Sequence, residues 1–236
     1  MTTNKLTVTD ASFYYPDKNI AVDGISFTVA DGETVGILGM NGAGKSTLLL
    51  MLVGILMPSG GTVAVGDAVL NNRTVQDIRR KIGLVFQNPD DQLFMNTIYD
   101  DIAFGLRNSG MANDEVDKRV KTALSEAGIP HLATRAPYKC SGGEKKSAAI
   151  ACILAMRPDI LLLDEPTSGL DPRARRGMIE LLRGFKHTKL IAGHDIDMIE
   201  KLCDRVMILN EGKLAAVGKT ADILSDILLM ERYGLA

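Results

Sequence analysis

Alternating apolar and polar residues near the start of the chain predict β-strands. Apolar side chains stand at every second position in two segments and again within residues 61–70. Those of the first two segments are Leu6, Val8, Ile25, Phe27 and Val29. A period of two is typical of strands with one buried face. We therefore expect short antiparallel strands that flank the apolar strand at 34–38.

The spacing of apolar residues further along the chain predicts a helix from Asn113 to Gly128, with charged residues on its opposite face. Its apolar members are Val116, Val120, Ala123, Leu124 and Ala127. Gly128 and Pro130 supply the stop signals that end such a helix.

Continuous apolar runs predict strands that are buried on both faces. They cover residues 34–38, 160–163, 190–193 and 206–209, and a helix from about Asp197 to Leu202 separates the last two. We predict one α/β domain spanning residues 1–236, with a mostly helical section inserted at about 88–157.

Composition narrows the classes of protein that fit this pattern. The net charge is −2 and no run of lysines or arginines is longer than three residues, which argues against a nucleic-acid-binding surface. The three scattered cysteines form neither a disulfide framework nor a CxxC zinc pair, so a reducing cytosol fits best. The N-terminus lacks the features of a signal peptide, and every apolar run is shorter than the about 20 residues of a membrane span. Work at a membrane would need partner subunits.

A glycine-rich loop, GMNGAGKST at 39–47, joins the strand at 34–38 to an apolar stretch of helical length. Its glycines let backbone N–H groups turn inward around phosphates. Lys45 would bind the β and γ phosphates, and the Ser46 hydroxyl would ligate Mg²⁺. The alternative, an ordinary glycine-rich turn, does not need Gly-Lys-Ser at this spacing.

An acidic pair follows the strand at 160–163. Asp164 would hold Mg²⁺, usually through water, and Glu165 would polarise the attacking water as general base. The alternative is an exposed acidic pair at a strand end. His194 follows the strand at 190–193 and is expected at the same sheet edge, although a lone histidine is more often a packed or surface residue. Gln87, which ends another apolar run, is uninformative by itself.

A second glycine-rich anion site begins at Ser141, and one compact kinase or GTPase domain would not need two. Its string CSGGEKKSAAIA resembles the LSGGQ signature of ABC ATPases. The other motifs follow in that family's order: Gln87 as Q-loop, ILLLDE at 160–165 as Walker B, SGLD at 168–171 as D-loop and His194 as switch histidine. The resemblance implies a P-loop core of mainly parallel sheet, with an antiparallel β subdomain and an inserted helical subdomain.

The resemblance also implies a head-to-tail dimer, with ATP between the P-loop of one subunit and the signature loop of the other. It assigns catalysis to Lys45, Glu165 and His194, and it assigns the binding of Mg²⁺ to Ser46, Gln87 and Asp164. An aromatic residue near the N-terminus stacks on adenine, and either Tyr15 or Tyr14 occupies that region. The remaining nucleotide contacts are assigned to Asn41, Gly42, Gly44, Lys45, Ser46, Thr47, Gln87, Ser141, Gly142, Gly143, Glu144 and Asp171.

The signature departs from the family pattern at three positions. Cys140 replaces leucine, Glu144 replaces glutamine, and Ser147 stands where many relatives carry arginine. We expect the ATP contacts to survive, whereas loss of the arginine removes a charge from the signature helix. Cys140 is either a small apolar substitute or a reactive thiol at a helix N-terminus.

The segment after Gln87, NPDDQLFMNTIYDDIAFGLRNSGM, resembles the ATPases of energy-coupling factor (ECF) transporters, which take up cobalt, nickel or vitamins. This implies a homodimer or heterodimer at the cytoplasmic face of the cell membrane, bound to a transmembrane T component, with an S component that captures the solute. The tail at about 218–236 resembles that group's short C-terminal helix. Its Ile223, Leu224, Ile227 and Leu228 fit one helical face, either for a partner or for core packing.

Two other functions compete with an ATPase that powers uptake. A soluble ABC ATPase of DNA repair, translation or cluster assembly usually brings a coiled-coil insertion, a tandem domain or basic tracts, which this sequence does not display. A regulatory module would hold ATP without turnover, and the intact Lys45, Asp164, Glu165 and His194 speak against it. No residue pattern in the sequence identifies the transported solute.

Overall fold

The structure, a computed structural model, describes residues 4–235 and only the backbone of Asn4. Residues 1–3 and Ala236, the predicted ends of the domain and of its tail, lie outside this part of the chain. The fold divides into two compact units. The first contains Met1–Leu84, Asp159–Glu165 and Lys186–Ala236, and the second contains Val85–Pro158 and Pro166–Phe185.

The described residues form two groups of elements, ten strands and nine α-helices, which are interspersed along the chain. The strands are β1 (Asn4–Tyr14), β2 (Ile20–Ala30), β3 (Thr34–Leu38), β4 (Gly60–Val65), β5 (Ala68–Val69), β6 (Ile82–Val85), β7 (Ile160–Asp164), β8 (Thr188–Gly193), β9 (Arg205–Asn210) and β10 (Lys213–Lys219). The helices are α1 (Lys45–Leu52), α2 (Val75–Lys81), α3 (Ile98–Asn108), α4 (Asn113–Glu126), α5 (Gly142–Ala155), α6 (Pro172–Gly184), α7 (Ile196–Leu202), α8 (Thr220–Ser225) and α9 (Ile227–Arg232).

The predicted antiparallel strands form a sheet of their own, in the order β2-β1-β4-β5. They therefore flank β3 in the sequence but do not pair with it. Strand β1 pairs antiparallel with both β2 and β4, and its Leu6 and Val8 are buried. The alternation of apolar residues read from the sequence is thus the inward face of this sheet.

The second sheet has the order β10-β9-β3-β8-β7-β6, and β3 runs parallel to both β8 and β9. Every residue of β3, β7 and β8 is buried, as the continuous apolar runs predict. Their registers align the carboxyl ends, because Leu38 pairs with Gly193 and Asp164 pairs with Ala192. The loops that follow β3, β7 and β8 therefore leave the same edge of the sheet.

The second unit has a helical core to which α3, α4 and α5 contribute. Helix α4 runs from Asn113 to Glu126 and buries Val116, Val120, Ala123 and Leu124, the face that the spacing predicts. Gly128 follows it with a φ of +70°, a left-handed conformation that suits glycine after a helix. The unit extends beyond the expected insertion at 88–157, because it also contains Pro166–Phe185 with α6.

The predicted single apolar face of the C-terminal tail is wrong. Gly218 still belongs to β10, and the chain breaks at Asp226 into α8 and α9. Asp226 begins a new helix because its side chain accepts a hydrogen bond from the N–H of Leu229. Ile223 on α8 is buried, whereas Ile227 and Leu228 on α9 are 66% and 79% exposed. Among residues 4–235, no helix is both long and apolar enough to span a bilayer.

A buried carboxylate stabilises the loop that precedes α3. Asp101 is 6% exposed, and its Oδ1 accepts hydrogen bonds from the N–H groups of Phe94 at 2.9 Å and Met95 at 3.0 Å. Its Oδ2 lies buried and has no hydrogen-bond partner among the described atoms. Burial raises the pKa of this carboxyl above its ordinary value, although the two backbone N–H groups partly offset the shift.

We predict that Asp101→Asn stabilises the protein at neutral pH, because the amide keeps an acceptor oxygen for the loop and removes a buried charge. A raised carboxyl pKa means that the folded state binds the proton more tightly. The penalty of the wild-type carboxylate therefore grows as pH rises through the folded pKa and fades as pH falls towards the unfolded one. Urea denaturation at several pH values measures this. The exposed Asp67→Asn is the control, and a gain that does not shrink at acid pH would contradict the prediction.

Candidate functional site

The glycine-rich loop turns sharply from β3 into α1. Gly44, at the N-terminus of α1, has a φ of +101°, and a Cβ atom there would lie 2.2 Å from the carbonyl oxygen of Ala21. Gly42 has a φ of +82°. Both positions therefore require glycine, one for close approach and one for its left-handed backbone. The loop leaves the first N–H groups of α1 available to an anion, as the sequence predicts.

Lys45 begins α1 and is 6% exposed. Its ammonium donates to the carbonyl oxygens of Gly39 at 2.7 Å and Met40 at 3.1 Å. Burial lowers the pKa of this ammonium below its ordinary value, and the carboxylates of Glu165 and Asp164 offset part of the shift. Lys45 therefore sits in a site where its charge is only partly compensated, which favours an anionic ligand.

The acidic pair lies at the carboxyl end of β7, and both of its side chains are buried. Asp164 is 7% exposed and Glu165 is 5% exposed, which excludes the alternative of a solvated pair. Glu165 has a φ of +47°, a conformation that non-glycine residues rarely adopt and that is often found at functional sites. Its N–H donates to the carbonyl oxygen of Ala192 at 2.9 Å.

The other two predicted catalytic residues, His194 and Lys45, both lie close to Glu165. The Oε1 atom of Glu165 lies 2.9 Å from Nδ1 of His194 and 3.9 Å from Nζ of Lys45. The His194 side chain is 62% exposed, so it contacts the buried carboxylate from the solvent side. The parallel strands β7 and β8 therefore bring a potential base and its histidine partner together, whereas a lone surface histidine would have no such contact.

The oxygen donors in the first unit suit Mg²⁺. Ser46 is exposed in the first turn of α1, and Asp164 offers a carboxylate at the edge of the sheet. Hydroxyl and carboxylate oxygens are the hard ligands that Mg²⁺ prefers, with phosphate oxygens and water completing its shell. Within residues 4–235, no group of three or more His, Cys, Asp or Glu side chains could hold a metal ion.

Of the two candidate tyrosines, Tyr15 contacts the glycine-rich loop. Its hydroxyl lies 3.1 Å from the Thr47 hydroxyl on α1, and its ring packs edge-on against Phe13 at 5.1 Å. The neighbouring Tyr14 is 44% exposed, as strand alternation predicts for the opposite face. This geometry favours Tyr15 as the aromatic residue beside the loop.

The signature segment, in the second unit, begins α5 with a reciprocal cap. The Glu144 N–H donates to the hydroxyl of Ser141 at 3.3 Å, and the Glu144 carboxylate accepts from the Ser141 N–H at 2.7 Å. Arg135 pairs with Glu144 at 3.3 Å, and the Ser141 hydrogen bonds lower the pKa of the Glu144 carboxyl. Glu144 therefore stabilises the start of α5, a role that the sequence reasoning missed although Ser-x-x-Glu is its signature.

Other predicted contacts in the second unit also have local partners. Asp171 caps α6 by accepting from the N–H groups of Arg173 at 2.8 Å and Ala174 at 3.0 Å. Gln87 is exposed just beyond β6. Contact of Gln87, Glu144 and Asp171 with a nucleotide stays a prediction.

Cys140 behaves as the small apolar substitute rather than as a reactive thiol. Its side chain packs against the helical core, and its Sγ lies 3.6 Å from the carbonyl oxygen of Ala136. Burial raises the pKa of this thiol, which disfavours the thiolate that reactivity requires. Helix α5 forms despite Ser147, which is half-buried.

Gly234, which follows α9, packs against the glycine-rich loop, a contact that sequence reasoning also missed. A Cβ atom on Gly234 would lie 2.8 Å from the sulfur of Met40, so Gly234 contacts that side chain closely. Met40 is the residue whose carbonyl oxygen accepts from Lys45. Neither contact leaves a signal in the sequence, because the Lys45 contact uses a backbone carbonyl oxygen and the Gly234 contact joins residues far apart in the sequence.

The sequence matches that of known proteins over most of its length. A family model described as ABC transporter matches residues 22–168. A putative ABC transporter ATP-binding protein of Geobacter sulfurreducens is 52% identical over 93% of this chain and 88% of its own length. The energy-coupling factor transporter ATP-binding protein EcfA of Methanothermobacter thermautotrophicus is 46% identical over 96% of this chain and 74% of its own.

Solved structures resemble the fold as well. CbiO1 from Clostridium perfringens, part of the ABC transporter complex CbiONQ, superposes with a TM-score of 0.86 at 37% identity, covering 99% of this chain and 95% of its own. A dimeric ATP-binding cassette in a post-hydrolysis state, bound to ADP and phosphate, gives 0.83 at 27% identity, covering 91% and 98%. These matches confirm the resemblance read from the motifs and the fold expected from it.

The reciprocal cap predicts how α5 responds to changes at Glu144. Glu144→Ala should lower the free energy of unfolding by about 0.5–2 kcal/mol, because the Ser141 N–H loses its acceptor. Glu144→Gln should stay close to wild type, because the amide oxygen can still accept that hydrogen bond. Urea denaturation compares the two variants, and an equal loss in both would show that the negative charge, and not the cap, matters.

Proposed function

We propose a transport role for this chain, which belongs to the ABC transporter family and is an ATPase. It binds and hydrolyses ATP as a subunit of an ECF-type complex that takes up a micronutrient, such as a cobalt or nickel ion or a vitamin. The observation that carries the proposal is its similarity to EcfA over 96% of the chain, joined to the cluster of Lys45, Glu165 and His194.

The active form in this proposal is a head-to-tail dimer, either of two copies or of one copy with a second ABC ATPase. ATP lies between the glycine-rich loop of one subunit and the Ser141 edge of the other, and the cassette bound to ADP and phosphate is itself dimeric. Tyr15 stacks on adenine, and Asn41, Thr47, Gln87 and Asp171 contribute further contacts. Loss of the γ-phosphate would remove the anion that joins the two surfaces.

Lys45 changes partners when the nucleotide binds. Its ammonium is satisfied by two neutral carbonyl groups and lies 3.9 Å from Glu165. Phosphate oxygens carry full charge and give stronger hydrogen bonds than carbonyls do. The ammonium of Lys45 therefore turns towards the β and γ phosphates. Their negative charge compensates the cost of removing the ammonium from water.

Glu165 orients and polarises the attacking water as general base. Its buried position restricts the carboxylate, and His194 contacts the same Oε1 atom from the exposed side. When Lys45 turns to the phosphates, this oxygen keeps its contact with His194 and would accept a hydrogen bond from the attacking water. His194 thus positions the base and senses the γ-phosphate.

Mg²⁺ belongs to the same proposal, held by Ser46, by Asp164 through water, and by Gln87. When bound, it neutralises charge on the phosphates and so favours phosphoryl transfer to water. The second unit would sense this state through Gln87.

An exposed aromatic pair offers a docking surface for the transmembrane T component. Phe94 and Phe104 are 64% and 39% exposed, and their rings pack edge-on at 5.0 Å. Asp101 ties the loop of Phe94 to α3. Exposed aromatic residues are enriched in protein interfaces, and these follow Gln87 in the sequence. The chain would thus lie at the cytoplasmic face of the membrane through its partner, and solute recognition would reside in a separate S component.

Glu165→Gln tests the chemistry. We expect ATP binding close to wild type and a fall in kcat of about 10²- to 10⁴-fold, because the amide cannot accept a proton from water. Equilibrium binding and phosphate-release assays measure the two quantities, with the exposed Glu200→Gln as control. Turnover at the wild-type rate would remove Glu165 from the role of base.

Purification of the tagged chain from detergent-solubilised membranes of its host tests the transport role. We expect a multi-spanning protein to co-purify and to be lost in Phe94→Glu, since a charge would enter an apolar contact. Leu228→Glu, at an apolar residue of the first unit that is more exposed than Phe94, should retain it. Recovery of soluble proteins alone would favour the alternative of an ABC ATPase that is not coupled to transport.

A further inference from the structure

The segment that follows Gln87 is fastened to α5 by side-chain contacts within the second unit. The chain leaves β6, passes Gln87 and makes a short 3₁₀ turn at Pro89–Asp91. The side chain of Asn88 caps this turn by accepting from the N–H of Asp90. Two residues of the segment, Asp90 and Gln92, then bond to α5 directly. The proposed function does not use either of them.

The first contact is an ion pair. Nζ of Lys145 lies 2.6 Å from Oδ1 of Asp90, within the range of a short charge-assisted hydrogen bond. The Lys145 side chain is 18% exposed and that of Asp90 is 58% exposed, so the pair is only partly screened by solvent. Asp91, the next residue, is instead within 3.4 Å of the Asn88 amide.

The second contact is a bridging amide. Nε2 of Gln92 donates to the carbonyl oxygen of Ala149 at 2.7 Å, and its Oε1 accepts from the N–H of Phe86 at 3.4 Å. A single side chain thereby joins α5 to the backbone on the other side of Gln87. The segment carrying Gln87 is held at both of its ends.

Both contacts reach the same face of α5. Ser141, Lys145 and Ala149 are spaced by four residues, so they lie above one another along the helix. The N–H of Lys145 also donates to the carbonyl oxygen of Ser141 at 2.9 Å. A shift of the Gln87 segment would therefore act on the helix turn that presents the Ser141 edge.

We propose that Asp90 and Lys145, with Gln92, are positioning residues that make the Gln87 segment and α5 move as one body. This rests on the proposed function, in which Gln87 senses the nucleotide of its own subunit and Ser141 meets that of its partner. The linkage carries the response at Gln87 to the edge at Ser141. Neither Asp90 nor Lys145 needs to touch ATP.

Substitutions of Asp90 and Lys145 separate this positioning role from a contribution to stability alone. A partly exposed ion pair adds little to stability, so Asp90→Ala and Lys145→Ala should leave Tm nearly unchanged. We expect both to lower kcat by about five- to tenfold at unchanged ATP affinity, the size of a typical coupling between sites. Lys145→Arg and the swap Asp90→Lys with Lys145→Asp should recover most of the loss, whereas Asp91→Ala should behave as wild type.

Hydrogen exchange gives a readout that does not require turnover. A non-hydrolysable ATP analogue with Mg²⁺ should slow exchange in peptides covering 86–92 and 141–149 of the wild-type full chain. In Lys145→Ala and Gln92→Met, protection should persist in the first peptide and fall in the second.

Three results would each overturn the linkage. The first is an unchanged kcat in both Asp90→Ala and Lys145→Ala, and the second is a charge-swapped double variant whose kcat is no higher than theirs. The third is full protection of residues 141–149 in Lys145→Ala. Absence of turnover in the wild-type chain, alone and with its co-purified partners, would instead overturn the proposed function. The exchange experiment would still decide the linkage in that case, so the two failures remain distinguishable.

Discussion

The aligned carboxyl ends of β3, β7 and β8 bring together the charged side chains of the candidate site in the first unit. Leu38 and Gly193 pair in register, and Asp164 pairs with Ala192. Glu165 and His194 follow their strands directly, and Lys45 follows β3 after the loop at 39–44, so the three converge without long connections. A register shift of one residue in a strand would send each of its side chains to the other face of the sheet and separate the cluster.

Burial gives this cluster its electrostatic character. Lys45 and Glu165 are both nearly inaccessible, yet their charged atoms are 3.9 Å apart, longer than a good hydrogen bond. The ammonium of Lys45 instead donates hydrogen bonds to two neutral carbonyl groups, and burial lowers its pKa. A buried cation with neutral partners gains more from an incoming anion than a fully paired one would. The same burial that costs stability therefore favours phosphate binding.

The sequence predicts this cluster well because its signals are local. A buried parallel strand is a continuous apolar run, and the residue after it lies at the sheet edge, as Asp164 and His194 do. The break at Asp226 was not predictable in this way, because many aspartates precede no helix. Gln92 was also missed, since its bond to Ala149 joins residues far apart in the sequence. Contacts made by backbone carbonyls, such as those of Lys45, depend on chain path rather than on residue type.

Glu144 shows how a family resemblance and local physics constrain each other. The motif assigns this residue to the nucleotide, yet its carboxylate already accepts from the Ser141 N–H and pairs with Arg135. A carboxylate so placed would repel a phosphate that contacted it directly. If the Ser141 edge faces a triphosphate, the donors that remain are the Ser141 hydroxyl, which only accepts from Glu144, and the N–H groups of Gly142 and Gly143. These N–H groups are available because the first turn of a helix has no internal acceptors for them. Glu144 then contributes by fixing that turn, and Arg135 compensates its charge.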